Sequence, residues 1–435
     1  MKKAGFLLQV FAVLIWIGCT KSSTPPGSTT PTTPTTPTTP TSPTISSLSP
    51  DTGAYNTVVT IAGTNFNPTV SMDIVSFNGV NAVVNSATAT QLSVVVPKGA
   101  GTGTVKVTVG AQIVSGPVFN YSYTYTVSTL AGGTLGDVDG TGTAAEFSTP
   151  FDIAVDTSGN VVVADAGNNK IRKITPAGVV TTIAGGKPGF MDGPVSSALF
   201  SVPTGVAVDA MNNIFVADPD NYKVREINTA GVVTTVAGTT VGEKDGSAAS
   251  SEFDSPSWLA VDANENIYVS DAHYIRVISN GLVSTLYDGK NYSSTLVSFT
   301  SIAIGQNNNL VLLDDFGANV FNLTTGGTFT VLAGNGILTY FDGPAATASF
   351  SSAKGVAVDA SGNILVADQV NQRIRLITPG GTVTTIAGTG TGGDVDGPAA
   401  SAQLYYPQGV AVDKKSGNIY VVEPMSNRIR KITSE

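Results

Sequence analysis

Histidine and cysteine, the side chains that most often supply catalytic bases, nucleophiles and transition-metal ligands, are nearly absent from this sequence. Among 435 residues there is one histidine, His273 in the segment SDAHYIR, and one cysteine, Cys19. A single histidine cannot form a multi-histidine metal site. No Ser-His-Asp or Cys-His set can be assembled, because Cys19 precedes the folded part of the chain and His273 has no evident partner. The composition therefore favours a binding protein over an enzyme.

Carboxylates, in contrast, recur at regular intervals along the chain. An Asp-Gly pair occurs six times, at Asp139, Asp192, Asp245, Asp288, Asp342 and Asp396. Small residues and an apolar residue follow each pair, which predicts one helical turn capped by the aspartate. Asp137 and Asp394 add a second carboxylate two residues before the first and sixth copies. Such a pair could bind Ca²⁺, although the oxygen-rich loop of a calcium site is absent.

Each copy of this repeat contains four short segments with the character of β-strands. In the fifth copy they are GVAVD, NILVAD, RIRLI and TVTTIAG. Four-stranded units repeated about every 40 to 50 residues are typical of a β-propeller, so six copies predict six blades around a channel. The copies resemble the NHL repeat family in the pattern P.GVAVD..GNI.VAD..N.RIR.I. That resemblance implies a fold and leaves the function open, because propellers host unrelated activities.

The two ends of the repeat array predict how the ring closes. The sixth copy stops after its third segment, RIRKITSE, whereas TVSTLAGG at 126–133 is a fourth segment without a blade of its own. We expect residues 126–132 to complete blade 6 within a propeller spanning 127–435, because a closed ring leaves no exposed edge strand.

Two further sets of polar residues recur in the copies. The aspartate that ends the first segment, such as Asp359, is expected to accept hydrogen bonds from the following turn. An acid at the end of the second segment precedes two basic residues, as in Asp368, Arg373 and Arg375. Buried charges are tolerated only when they are matched, so we expect ion pairs between blades. A basic ring that binds a ligand is the alternative.

The residues that lead into the first segment differ between copies, while the frame around them stays constant. Propeller geometry places them around one mouth of the channel. Trp258 stands where three other copies have glycine, so its indole is expected to project into space that those blades leave empty; filling a gap above a short blade is the alternative. The candidate ligand-binding residues are Phe151, Asp152, Trp258, Lys354, Gln408, Tyr340, Tyr406 and His273.

The segment 45–126 predicts a separate small β-sandwich. Strand-like stretches such as TVVTIAG and GTVKVTVG alternate with Gly, Pro and Asn, a pattern typical of immunoglobulin-like folds. The segment resembles the IPT/TIG family in ISSLSPDTG, VTIAGTNF and VSFNGVNAVV. In that family the domain is most often a spacer or an interaction module. The fold class is therefore all-β: an Ig-like sandwich followed by a six-bladed propeller.

The first 44 residues have the composition of an export signal and a spacer. Met1, Lys2 and Lys3 precede an apolar run, 4–17, that is too short to span a bilayer of roughly 30 Å. The run ends in WIGC and resembles a bacterial lipobox, which implies a signal peptide over 1–18 and acylation of Cys19. Residues 19–44 are rich in Thr and Pro and predict an extended stalk. An ordinary cleaved signal is the alternative.

The net charge argues against a nucleic-acid partner, and the combined features favour a partner in the cell envelope. The chain carries a net charge of −9, with 22 basic and 31 acidic residues, so a nucleic-acid partner is not expected. The combination resembles cell-envelope lipoproteins of Bacteroidetes-like bacteria. We therefore expect a non-catalytic outer-membrane lipoprotein that binds a glycan or an envelope protein. The alternatives are a protein scaffold of an envelope complex and a metal-dependent propeller lyase or lactonase.

Overall fold

Eight short strands form the first domain in the computed structural model, which describes residues 42–291, 297–314 and 316–435. Val59, Ile61, Leu92 and Val94 alternate with more exposed neighbours and are buried, as the period-two pattern predicts. The strands are Thr44–Ser49, Thr52–Gly53, Val58–Thr64, Asp73–Phe77, Val80–Ala87, Gln91–Val95, Gly103–Val109 and Gln112–Tyr121. Cys19, the predicted signal peptide and most of the predicted stalk lie outside the described residues.

Six radial sheets follow, and their four main strands are named a to d from the channel outward. Strands a–d are Pro150–Val155, Val161–Asp165, Lys170–Ile174 and Val179–Gly185 in blade 1; Val206–Val208, Ile214–Asp218, Lys223–Ile227 and Val232–Ala237 in blade 2; Pro256–Val261, Ile267–Asp271, Tyr274–Ser279 and Leu282–Asp288 in blade 3; Phe299–Ile304, Leu310–Asp314, Val320–Leu323 and Phe329–Ala333 in blade 4; Ala353–Val358, Ile364–Asp368, Arg373–Ile377 and Thr382–Ala387 in blade 5; and Val410–Val412, Ile419–Glu423, Arg428–Ser434 and Tyr125–Gly132 in blade 6. The all-β, six-bladed fold is confirmed.

Short elements complete the secondary structure. A two-residue strand pairs with strand d in five blades: Gly140–Thr141, Gly193–Pro194, Gly246–Ser247, Gly343–Pro344 and Gly397–Pro398. The 3₁₀ helices are Val70–Met72, Gly142–Ala144, Ala166–Asn168, Pro219–Asn221, Gly289–Asn291 and Gln306–Asn308. Within the part of the chain that the structure describes, no helix is both long and apolar enough to cross a membrane.

The seam of the ring lies in blade 6. Tyr125–Gly132 pairs antiparallel with Arg428–Ser434, with Thr129 opposite Arg430. Asp396 accepts hydrogen bonds from the Thr129 backbone N–H and from the Arg430 guanidinium, at 2.9 and 2.7 Å. The strand that precedes the first blade is therefore held by the same contacts that hold strand d elsewhere in the ring.

A buried arginine in strand c ties each of five blades together. In blade 5, Arg375 donates 2.6 Å bonds to Asp368 of strand b and to Asp342 of the Asp-Gly pair. Its guanidinium also lies 5.0 Å from the centroid of the Phe350 ring. The other four arginines are Arg172, Arg225, Arg276 and Arg430. The expected ion pairs form, but they do not join the sheets of neighbouring blades. Asp368 belongs to the arginine's own sheet, and Asp342 lies in the connection that leads from blade 4 into blade 5.

In blade 5 the Asp-Gly aspartate does not cap a helix, contrary to the sequence prediction. In the fourth copy the prediction is confirmed, because Asp288 precedes the 3₁₀ helix Gly289–Asn291 and accepts a 2.9 Å bond from the Lys290 N–H. The Asp342 carboxylate accepts hydrogen bonds from Arg375 and from the Thr385 backbone N–H in strand d, at 2.6 and 3.0 Å. The short helix in this region, Gly142–Ala144 of blade 1, has Thr141 as its first flanking residue and no side-chain cap. The buried guanidinium binds the carboxylate that was expected to cap a helix. This bond fixes the connection between the two blades.

Blade 4 replaces the arginine with an aromatic core. Phe321 occupies the arginine position, is fully buried, and stacks on Phe329 with ring centroids 4.8 Å apart. Asp314 remains at the end of strand b and accepts a 2.7 Å bond from the Gly317 backbone N–H. This substitution agrees with the general finding that well-packed apolar side chains can replace a buried ion pair without loss of stability.

Candidate functional site

The starts of the six a strands converge into a closed ring of contacts. The Asp152 carboxylate accepts a 3.0 Å bond from the Val206 N–H, and the Ser301 hydroxyl accepts one of 3.0 Å from the Val356 N–H. A Cβ on Gly205 would lie 2.5 Å from the Ser257 carbonyl oxygen. Neighbouring blades therefore contact each other here, and we call residues 152, 205, 258, 301, 355 and 409 the upper ring.

Trp258 does not project into empty space, so that expectation was wrong. Its side chain is 5% exposed and contacts Phe151 of blade 1, with ring centroids 5.6 Å apart. A Cβ on Gly355 would overlap the Gln408 carbonyl oxygen, and one on Gly409 would lie 3.0 Å from Asp152 Cα. Glycine recurs at this position because the backbone of the next blade fills the space.

Asp152 is the one ionisable side chain of the upper ring. It is 5% exposed, and burial raises its pKa to about 7, although the backbone N–H groups of Val206 and Ile153 donate to it and lower the pKa. The carboxylate thus serves as a link between blades 1 and 2.

The other candidate residues lie on separate connections. Tyr340 donates a 3.1 Å bond to Asp342, and its ring lies under Arg373, whose guanidinium carbon is 3.8 Å from the centroid. Tyr406 is 36% exposed and its backbone N–H donates to the Gln372 side chain at 2.7 Å. Lys354 and Gln408 are half-buried at the start of strand a in blades 5 and 6. The structure therefore brings Phe151 and Trp258 into contact, directs Asp152 to the backbone of blade 2, and places Tyr340 and Tyr406 in structural contacts.

His273 lies in the b–c turn of blade 3. It is 7% exposed, and its Nε2 is 3.9 Å from Glu243 Oε1 and 4.0 Å from Asp288 Oδ1. The Tyr274 hydroxyl donates to Glu243 at 2.9 Å. This turn is two residues shorter than its counterparts, so Arg276 lies five residues after Asp271, whereas Arg375 lies seven residues after Asp368.

The acids considered for calcium have other partners. Asp137 pairs with Lys170 at 2.9 Å, and Asp394 pairs with Arg428. Lys170 holds the pKa of Asp137 below its usual value through a hydrogen bond and its charge. Within residues 42–291, 297–314 and 316–435, no group of three or more His, Cys, Asp or Glu side chains is arranged to hold a metal ion.

The other end of the channel is formed by the a–b turns, and it is open. In five of the six turns the aspartate that follows strand a closes the loop, as predicted: Asp359 Oδ1 accepts 2.8 Å bonds from the Ser361 and Asn363 N–H groups. Blade 4 has Gly305 at this position. A cavity of about 430 Å³ lies between these turns. Its lining includes Asp156, Asp209, Asp262, Asp413, Lys414 and Lys415, and we call it the lower mouth.

The Ig-like domain is attached beside this lower mouth. Thr124, between the two domains, exchanges backbone hydrogen bonds of 2.9 and 2.8 Å with Glu435, which follows strand c of blade 6. Lys98 of the Ig-like domain forms a 3.0 Å ion pair with the Glu435 side chain. These contacts extend the blade 6 sheet to the boundary of the Ig-like domain and fix its position.

A cleft of about 510 Å³ opens between the Ig-like domain and the a–b turns of blades 5 and 6. Tyr123, 47% exposed, and the half-buried Tyr125 lie along it, with ring centroids 6.3 Å apart. Burial raises the pKa of Tyr125 to about 12, so its hydroxyl is protonated at neutral pH. Asp359, Asn363, Asp413, Lys414 and Lys415 supply the polar part of the lining. We call this site the domain cleft.

Sequence reasoning missed the domain cleft, although two signals for it were present. The stretch YSYTYT at 121–126 places a tyrosine at every second position. The a–b turn of blade 6, DKKSGN, is one residue longer than DASGN of blade 5 and carries two lysines. Both features depart from the repeat pattern. They were missed because an alignment of repeats shows what the blades share and not where a single blade differs.

A third cavity, of about 350 Å³, lies between blades 4 and 5. Its lining consists of glycine, proline, aliphatic, threonine and amide residues such as Gln306 and Asn322, with no charged or aromatic side chain. Ligand sites combine apolar or aromatic surface with a few directed polar groups, and they occur preferentially at domain interfaces. The domain cleft meets these conditions better.

Comparison with known families agrees with the two-part architecture. Residues 43–127 match the IPT/TIG domain and residues 147–174 match the NHL repeat. The chain combines an IPT/TIG domain with NHL-repeat sequence. Protein SUPPRESSOR OF QUENCHING 1, chloroplastic, from Arabidopsis thaliana is 28% identical over 288 residues, which is 58% of this chain. The match covers 27% of that protein, so the chain spans about a quarter of its length.

Two solved structures share the fold along nearly the whole chain. A protein of unknown function from Bacteroides thetaiotaomicron has a TM-score of 0.65 at 20% identity and covers 92% of this chain and 99% of its own. An auxiliary nutrient binding protein from the same organism has a TM-score of 0.57 at 18% identity, with 91% and 98% covered. At these identities the likeness concerns the fold.

Proposed function

We propose that this protein is a non-catalytic binding protein of the cell envelope, anchored through an acylated Cys19, and that it holds a glycan in the domain cleft. The observation that carries the proposal is the cleft itself. It offers two tyrosines, Tyr123 and Tyr125, opposite the polar a–b turns of two blades. Its volume of about 510 Å³ lies within the roughly 300 to 1,000 Å³ of small-molecule sites.

The chemistry of the lining suits sugars. Aromatic faces pack against the apolar faces of pyranose rings, while protonated phenols and amides form hydrogen bonds with hydroxyl groups. Tyr123 is nearly half exposed and presents its ring to the cleft. Asn363 and Ser361 provide polar groups on the opposite wall.

The fold relatives support a binding role in general terms. The similarity to the auxiliary nutrient binding protein covers 91% of this chain, so it extends over both domains, and that protein is described as a binding protein. The predicted lipobox and the Thr-Pro stalk at 19–44 would hold such a protein at a membrane with its folded part extended away from it.

Glycan-array or affinity-gel binding of three proteins tests the proposal. Wild type should bind a glycan, Tyr123→Ala should lose most of that binding, and Tyr406→Ala should retain it. Tyr406 is a matched control because it is a partly exposed tyrosine at the upper-ring end. Thermal unfolding verifies that each variant is folded. Binding that survives Tyr123→Ala and is lost in Tyr406→Ala would move the site back to the upper ring.

A protein-interaction scaffold is the second candidate, favoured by apolar side chains exposed on the connections between blades. These include Phe190, Met191, Ile337, Leu338 and Phe341. If this is the function, Phe341→Ser should abolish co-purification of a defined envelope partner, whereas Tyr123→Ala should leave it intact.

A further inference from the structure

The a–b turn of blade 6 departs from those of the other blades in length and in charge. Residues 413–418 read DKKSGN, whereas the turn of blade 5, 359–363, reads DASGN. Asp413 still closes the turn, since the Gly417 N–H donates to its backbone carbonyl and the Lys415 N–H to its side chain. The turn is therefore stabilised by its backbone and by Asp413, and its two lysine side chains are not needed for its geometry.

Lys414 and Lys415 line both the domain cleft and the lower mouth. Both are exposed. In the described part of the chain, no carboxylate oxygen lies within 4.0 Å of either ammonium group. The nearby acids already accept bonds in their own turns, as Asp359 does from Ser361 and Asn363.

Many of the other basic residues of the propeller already have partners. The five strand-c arginines are buried in ion pairs, Lys170 pairs with Asp137, and Arg428 pairs with Asp394. Lys223 donates to the Thr239 carbonyl oxygen at 2.7 Å. Lys414 and Lys415 form no such ion pair within the described residues, so their ammonium groups can donate hydrogen bonds to a ligand that enters the cleft.

We propose that the ligand of the domain cleft is an acidic oligosaccharide, whose anionic group binds Lys414 and Lys415 while a sugar ring packs against Tyr123. This inference rests on the proposed function. An ammonium group binds carboxylate or sulfate as a point charge, so either substituent on the sugar has the required chemistry.

Because the net charge is −9, the protein as a whole does not attract an acidic ligand. A protein with excess negative charge repels an acidic polymer at long range, so recognition depends on short-range contacts with the two lysines. Salt screens exposed charges, and rising ionic strength should weaken binding of the acidic ligand more than binding of a neutral one.

Calorimetric titration with matched ligands tests the inference. The ligands are a uronic acid oligosaccharide, its carboxyl-reduced neutral form, and a sulfated oligosaccharide of similar length. Wild type should bind the acidic forms roughly tenfold more tightly than the neutral form. Lys414→Gln/Lys415→Gln should remove this preference, so that the variant binds the acidic and neutral forms with equal affinity. Lys187→Gln, an exposed lysine on the connection between blades 1 and 2, is the control and should have no effect.

The outcomes separate this inference from the proposed function. Neutral and acidic forms bound equally, with loss in Tyr123→Ala, would overturn the acidic preference and leave glycan binding in place. If the double lysine variant still binds the acidic forms more tightly than the neutral form, the proposed role of these lysines is overturned. Absence of binding to all three oligosaccharides, with lysine-dependent binding of an acidic peptide instead, would overturn both the inference and the glycan function.

Discussion

Thr124 and Glu435 exchange two backbone hydrogen bonds, from Thr124 N to the Glu435 oxygen at 2.9 Å and from Glu435 N to the Thr124 oxygen at 2.8 Å. The pair continues the sheet of blade 6 by one step beyond the ring seam. Tyr123 and Tyr125 flank Thr124 in the chain, so the same two bonds position both tyrosines of the domain cleft. The link between the domains is therefore part of the proposed binding site.

Thr124→Pro should weaken glycan binding while leaving the propeller folded, because proline lacks the N–H that donates to Glu435. Amide hydrogen exchange should be faster at Glu435, whose N–H donates to the Thr124 carbonyl oxygen. Thr124→Ala keeps the N–H and serves as the control. Equal affinity and equal exchange in the two variants would show that the link does not set the cleft geometry.

Arg375→Ala should lower the free energy of unfolding by about 3 to 5 kcal/mol, because it leaves Asp368 buried without its partner. Arg373→Ala, two residues away, removes a stacking contact with Tyr340 and should cost only about 1 kcal/mol. Urea denaturation of both variants provides the comparison. Similar losses in the two would contradict a special role for the buried arginines.

The stability of the upper ring should depend on pH through Asp152. Burial raises the pKa of Asp152 from 3.8 to about 7. Between these values the folded protein binds the proton more tightly than the unfolded chain, so stability decreases as pH rises from about 4 to 7. At roughly 1.4 kcal/mol for each pKa unit, wild type should lose up to about 4 kcal/mol relative to Asp152→Asn. Denaturation midpoints at several pH values measure this, and a pH-independent difference would refute it.

Trp258→Ala should destabilise the propeller by about 3 to 5 kcal/mol, as expected for a large side chain removed from a packed core. Trp258 is 5% exposed and contacts Phe151. Ligand affinity measured well below the unfolding temperature should be unchanged. A variant of normal stability that has lost the ligand would instead restore Trp258 as a contact residue.

The repeats allowed the fold to be predicted, because each blade has the same strands and the seam follows from one missing strand in the last copy. The contact partners of the repeated charges were harder to predict. Arg375 and Asp342 are 33 positions apart in the sequence, and only the folded blade shows that they meet. The glycines at 205 and 355 gave a false signal for Trp258, since a sequence cannot show how closely the next blade approaches. The domain cleft depends on how two domains sit together, which no single repeat encodes.

The central claim is that the ligand lies in the domain cleft. A crystal structure of the protein with a bound oligosaccharide tests it most directly. The account predicts a sugar ring against Tyr123 and an anionic substituent within hydrogen-bond distance of Lys414 or Lys415. A ligand bound instead over Asp152, Trp258 and Ser301 at the upper ring would contradict it.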